Sequence, residues 1–174
     1  VARSLVGKYL VRQNGEGTIA GKIVEVEAYI GTEDKACHAS RGRTARTDVM
    51  FGPPGISYVY LIYGMYHMLN FVAGEIDDPQ AVLIRAAEPL DGWSADLSGP
   101  GKLCREFQIN RTENGMDLTG EQLFVIDDFA QRPRIVSTHR IGVDYAKEWA
   151  FKLLRFLDAD SAAVSHRKTT SSTT

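Results

Sequence analysis

The chain has 174 residues, 44% of them hydrophobic and 24% charged, which suits one domain with a single sizeable core. A formal net charge of -2 and a pI near 6.1 exclude a protein that coats nucleic acid through bulk positive charge, though local placement governs contact more than the total does. Two cysteines exclude a disulfide scaffold, and no signal-peptide pattern or ~20-residue apolar run is visible, so a reduced, intracellular setting is expected.

In chain order, residues 1–9 read as a short helix and 9–12 as a strand ending at the turn Asn14-Gly15-Glu16-Gly17. Residues 18–30 form a strand rich in β-branched side chains, stopped by Gly31. Strict alternation places Ile23, Glu25, Glu27 and Tyr29 on one face and Val24, Val26 and Ala28 on the core face. The polar, aperiodic segment 32–51 is a long loop, a feature more often functional than incidental. After the turn Gly52-Pro53-Pro54-Gly55 come strands at 57–62 and 66–72, reversing at Gly64 with Tyr63 near the tip. The turn Asp77-Asp78-Pro79 leads into a strand at 80–87, where Arg85 shares a face with Leu83 and Ala87, opposite Val82 and Ile84. Ser98-Gly99-Pro100 starts a helix that buries Leu103 and Phe107, and strands follow at 123–126 and 135–140. The Ser/Thr-rich stretch 166–174 is expected to be a loosely ordered tail.

Chemistry concentrates between Gly21 and Asn70. Glu27 is the candidate general base, since Arg85 offers it a partner and a carboxylate beside Arg keeps its charge at neutral pH. Glu25 is expected to be a solvated charge on an edge strand. Arg41, Arg43 and Arg46 are candidate phosphate contacts, and Tyr58, Tyr60, Tyr63 and Tyr66 make an unusually aromatic hairpin. Packing explains some of these rings, but a Tyr beside Gly64 at a hairpin tip suits insertion between base steps. Cys37 and His38 are adjacent on the chain and so point apart, which argues against a nucleophilic pair. His38, His67, His139 and His166 lack metal-ligand spacing, and Gly99-Pro100-Gly101-Lys102 lacks the remainder of a phosphate loop. No metal or cofactor is expected.

The chain resembles the alkyladenine (3-methyladenine) DNA glycosylase family, and most closely its bacterial branch. The residues that carry the resemblance are the run from Gly21 to Tyr29, His38 with Arg41-Gly42-Arg43-Thr44, Met50-Phe51, and Tyr58-Val59-Tyr60 through Met65. They continue with Asn70, Leu83 to Leu90, Ser98 to Leu103, Arg140 to Val143 and Glu148-Trp149-Ala150. The resemblance implies a monofunctional enzyme of base-excision repair that flips alkylated or deaminated purines out of double-stranded DNA. It would hydrolyse the N-glycosidic bond and leave an abasic site. By position it makes Glu27 the water-activating residue, with Arg85 beside that water. Tyr29, His38 and Tyr60 become the walls around the flipped base. Asn70 disfavours a 2-amino group, Leu83 belongs to the same pocket, and Tyr63 fills the vacated duplex. Arg41, Arg43, Arg46 and Lys102 are placed on the DNA backbone.

Three features depart from the family pattern. Thr47-Asp48 stands where Asn commonly follows Arg, which predicts a looser loop around His38. The connection from Leu90 to Leu97 is short, as if residues were missing there, and Leu153 replaces a common Pro. The expectation is a monomeric α+β domain over 1–165, with a curved, mostly antiparallel sheet, peripheral helices and a protruding aromatic β-hairpin. Two rivals stand beside it: a non-catalytic module for damaged or single-stranded nucleic acid, and a metal-dependent nuclease using Glu25, Glu27 and Asp34.

Overall fold

A computed structural model describes residues 1–128 and 132–165, so the expected tail at 166–174 lies outside the described residues. The chain folds as one α+β domain around an eight-stranded sheet in which every pairing is antiparallel. The strands are β1 (Tyr9–Asn14), β2 (Gly17–Ile30), β3 (Ser57–Ile62), β4 (Tyr66–Val72), β5 (Gln80–Pro89), β6 (Leu123–Ile126), β7 (Ile135–Thr138) and β8 (Arg155–Asp158). The main order is β3-β4-β5-β2-β1-β6, with β8 pairing both β2 and β7.

The long β2 organises the sheet because it changes partners along its length. It pairs with β1 from Gly17 to Lys22 and with β5 from Gly21 onward, while Glu25, Val26 and Glu27 lie between β5 and β8. The same strand thus serves two neighbours in succession, and the sheet curls. Two register shifts fall at this exchange: Ile23 pairs with Ala87, Glu25 with Ala86 and Val26 with Ile84, leaving Val24 and Arg85 as the extra residues. These bulges correct the expected alternation. Ile23 joins Val26, Ala28, Val82, Ile84 and Ala87 in the main core, whereas Val24 packs with Ala86 and Val164 in a separate cluster.

The helices are few. α1 spans Ala2–Leu5, shorter than the expected 1–9, because the chain turns at Gly7 (φ +94), where a Cβ would meet the Pro133 ring at 2.7 Å. α2 (Pro100–Glu106) begins with Pro in its first turn and buries Leu103, with Phe107 also buried just beyond it. No sequence signal pointed to β8 or to the 3-10 segments at His38–Arg41, Asp48–Phe51, Arg111–Glu113 and Asp144–Phe151.

The 32–51 loop is not loose. Cys37, Ala39, Met50 and Phe51 pack with Tyr58, Val72 and Ala81. Thr47 is buried, donates its hydroxyl to the Gly42 carbonyl at 3.1 Å and accepts the Thr44 N–H at 2.9 Å. The Thr47 departure therefore fastens the loop that carries His38. In the short 90–97 connection, Trp93 meets Phe107 edge-on at 5.2 Å and Leu97 is buried. Among the described residues no helix is long and apolar enough to cross a membrane.

Candidate active site

Where β2 ends against the hairpin of β3 and β4, a cavity of about 180 Å³ opens. Tyr29, His38, Tyr60, Asn70, Leu83 and Arg85 all line it, together with Tyr58, Tyr63 and the 141–145 segment. Tyr58 and Tyr60 share a strand face at a ring separation of 5.4 Å. His38 stands edge-on to Tyr60 at 4.5 Å, with Nδ1 3.0 Å from the Tyr58 hydroxyl. Burial, reinforced by the charges of Arg46 and Arg41, lowers the His38 pKa to about 4, so its ring is neutral at pH 7. Burial likewise pushes the Tyr58 phenol up to about 12 and raises those of Tyr60 and Tyr29. The aromatic walls are therefore uncharged, while Arg85 brings a guanidinium to the lining. Asn70 donates Nδ2 to the carbonyls of Tyr58 (3.1 Å) and Met68 (3.2 Å), which fixes its amide.

Glu27 lies immediately behind this wall and is fully buried. Its Oε2 accepts the Tyr29 hydroxyl at 2.9 Å and lies 3.4 Å from Arg85 Nη1, while Oε1 accepts the Ile141 N–H at 2.7 Å. An ionised carboxylate offers about four lone-pair sites, so capacity for a further donor remains.

Glu25 contradicts its expected solvated role. β2 is an interior strand, and Glu25 is fully buried, accepting from Arg85 Nε (2.8 Å), Arg155 Nε (2.7 Å), the Ser165 hydroxyl (2.8 Å) and the Ser165 N–H (2.5 Å). Burial alone would raise its pKa, but the Arg155 hydrogen bond and the charges of Arg85 and Arg155 outweigh this and lower it.

A second buried pair supports the opposite side of the site. Arg140 donates to Asp34 and to the Ala28 carbonyl (2.8 Å), and its guanidinium lies 4.7 Å over the Tyr29 ring. Asp34 also accepts the backbone N–H groups of Ile30 and Ala36, both at 3.0 Å. Glu25 and Asp34, two of the three carboxylates in the nuclease reading, are thus committed to guanidinium groups. Arg140, Arg155, Ser165 and Tyr145 were absent from the expected site, and Asp34 figured only in the nuclease reading. The sequence signal for the four was confined to the Arg140-Ile141-Gly142-Val143 motif, because their partners lie on distant segments.

The outer surface differs in part from expectation. Tyr63 is 83% exposed at the hairpin tip. Arg41 and Arg46 are exposed, and Arg46 lies over the Tyr60 ring at 5.3 Å. Arg43, however, is held by Asp48 (2.7 Å) and Asp77 (3.0 Å), and Lys102 by Asp96 (2.7 Å). Neither is a free cation. Lys102 also borders an open groove shared by Tyr63, Tyr66, Arg105 and Ser165.

A curled antiparallel sheet with an aromatic cavity and a buried glutamate at its back defines a site shaped for a planar, π-rich group beside a carboxylate. Comparison with known sequences narrows the class. A model of the methylpurine-DNA glycosylase family matches residues 1–162. A protein from Methanocella arvoryzae, provisionally named a 3-methyladenine DNA glycosylase, is 50% identical over 96% of this chain and 90% of its own length. Similarly named proteins from Anaeromyxobacter dehalogenans and Legionella pneumophila strain Lens are 51% and 46% identical, each over 95% of this chain and over 80% and 91% of their own lengths. The chain belongs to the methylpurine-DNA glycosylase family, and so is an enzyme of the DNA repair glycosylase class.

Proposed function

We propose that the protein, acting as a monomer on double-stranded DNA, receives a flipped alkylated or deaminated purine between Tyr29, His38 and Tyr60 and hydrolyses its N-glycosidic bond. The observation that carries this reading is the join between Glu27 and the cavity wall: the Tyr29 hydroxyl donates to Oε2 at 2.9 Å, so the carboxylate and the aromatic pocket form one unit. An N3- or N7-alkylated purine is cationic, and π-faces attract it over a neutral base by ~0.5–2 kcal/mol. A neutral His38 adds no repulsion. In a cationic alkylated purine the C1′–N9 bond breaks with its electron pair passing to the base, which departs neutral; a neutral deaminated purine takes the pair as an anion and picks up a proton from solvent. A water oxygen bonds to C1′ and its proton passes to Glu27, whose negative charge also stabilises the developing oxocarbenium ion. Arg85, between the cavity and Glu27, orients that water. Asn70, its amide fixed by two backbone carbonyls, reads the base edge.

The test uses duplex oligonucleotides carrying 3-methyladenine, 7-methylguanine, hypoxanthine or ethenoadenine, with chelator present, assayed for alkali-labile sites. Glu27→Gln is expected to lower base release at least ~10²-fold, the scale of general-base catalysis, while lesion binding persists. Release by this variant at the parent rate would remove the proposed base. Binding without release by the parent protein would favour a non-catalytic recognition module.

A further inference from the structure

We propose that Glu25, a residue outside the substrate cavity, is the positioning residue that aims Arg85 at Glu27 and fastens the Ser165 segment to the reacting face. The inference rests on the glycosylase reading above and deepens it.

Arg85 is one of the two bulged residues at the partner exchange of β2 and β5, so the regular ladder does not set its direction. Its guanidinium edges have separate destinations. Nε meets Glu25 Oε1 at 2.8 Å, Nη2 meets the Ser165 hydroxyl at 3.2 Å, and Nη1 points to Glu27 Oε2 at 3.4 Å. A guanidinium is a rigid planar fork, so holding two of its edges determines where the third points. Glu25 supplies one of those holds directly and the other through Ser165, which donates both its hydroxyl and its N–H to the same carboxylate. Arg155 completes the shell, donating Nε to Glu25 and Nη2 to the Ser165 carbonyl at 2.7 Å; it stands opposite Glu27 in the β2–β8 ladder, but its guanidinium is turned to Glu25 and Ser165. The pieces come from β2, β5, β8 and the segment after β8. Ser165 also borders the groove beside Tyr63. One buried carboxylate therefore links the cavity floor to the rim. Glu25 does not itself line the cavity, and its contact with a residue that does is the one to Arg85, through which its influence on chemistry passes.

The test is a double-mutant cycle on single-turnover base release at saturating enzyme, with thermal unfolding and lesion binding measured in parallel. Glu25→Gln is expected to slow release roughly 10- to 100-fold, the scale of a small misplacement of a reacting group, with lesion affinity within about twofold of the parent. In an Arg85→Gln background the same change is expected to cost less than about twofold, because the residue it positions is gone. Arg12→Met, which strips the guanidinium from another buried carboxylate, Glu113, at 2.8 Å and touches none of these residues, serves as the control for a buried-charge defect elsewhere. An equal loss from Glu25→Gln in both backgrounds, or an equal loss from Arg12→Met, would show a general structural role and overturn the proposal. Should Glu25→Gln be recovered unfolded, Glu25→Asp, which keeps the charge with shorter reach, runs through the same cycle. Failure of the parent protein to release any lesion overturns the glycosylase reading itself, an outcome distinct from failure of the cycle.

Discussion

Tyr29 donates its hydroxyl to Glu27 at 2.9 Å from two residues further along the same strand, while Arg140 lies 4.7 Å over the opposite part of that ring. The tyrosine is both wall and ligand. One side meets whatever enters the cavity, and its polar end holds a carboxylate that has no exposure of its own.

Tyr29→Phe keeps the wall and deletes the hydrogen bond. A hydrogen bond to a charged group contributes about 1.5–3 kcal/mol, so single-turnover base release should fall on the order of 10- to 100-fold if most of that contribution belongs to the transition state. Lesion affinity should stay near the parent value. A large loss of affinity with an unchanged rate constant would mean that Tyr29 acts only as a stacking surface.

Tyr63 sits at φ +52 in a tight turn with Gly64 at φ +70, and Met65 N–H returns to the Ile62 carbonyl at 3.2 Å. This is a turn geometry that favours Asn-Gly, and a bulky residue held there costs about 1–3 kcal/mol. Tyr63→Asn should raise stability by about 0.5–1 kcal/mol in urea denaturation while weakening lesion capture at limiting enzyme. Release from already bound substrate should change little. A variant that loses stability would show that the ring is held by packing.

His38 has its folded pKa near 4, below the ordinary 6.5. As pH falls through that window the unfolded chain takes up a proton that the folded ring refuses, so acidification from 6.5 to 4 lowers stability through His38. Above 6.5 its contribution is constant. Denaturation curves of His38→Gln across this range should show a shallower loss than the parent. An NMR titration placing His38 near 6.5 would contradict a desolvated ring.

Arg46 and Arg43 should separate in a salt titration of DNA binding. Arg46 is exposed beside the cavity mouth, whereas Arg43 already carries Asp48 and Asp77. Removing one cation from a DNA phosphate lowers the slope of log K against log salt by about 1. Arg46→Ala should therefore flatten the slope by about that amount and Arg43→Ala by clearly less. Equal changes would show that DNA strips the two aspartates from Arg43.

Much of the scaffold was legible in the primary structure. The strands at 57–62 and 66–72 are where β-branched and aromatic residues meet turn chemistry, because these are local preferences of the backbone. Glu27, Tyr29, His38, Tyr60, Asn70, Leu83 and Arg85 lie together in the fold, six of them lining the cavity and Glu27 behind it. Glu25 was misjudged because a carboxylate on an alternating strand reads as solvated unless its counter-charges are known. Those are Arg85 and Arg155, the latter 130 positions away.

Residue order settled most of the segments that extend, β8 excepted, and where they turn, since those follow from neighbours along the backbone; the ordered motifs settled the family. Folding in three dimensions settled which carboxylates are buried, which cations are already paired and which way Arg85 points. Paired bulges at the β2 partner exchange shift side chains between faces, and the partners that neutralise Glu25 and Asp34 arrive only when distant strands close around them. Local pattern carries no information about such long-range pairing, because charge burial depends on the whole shell around a group.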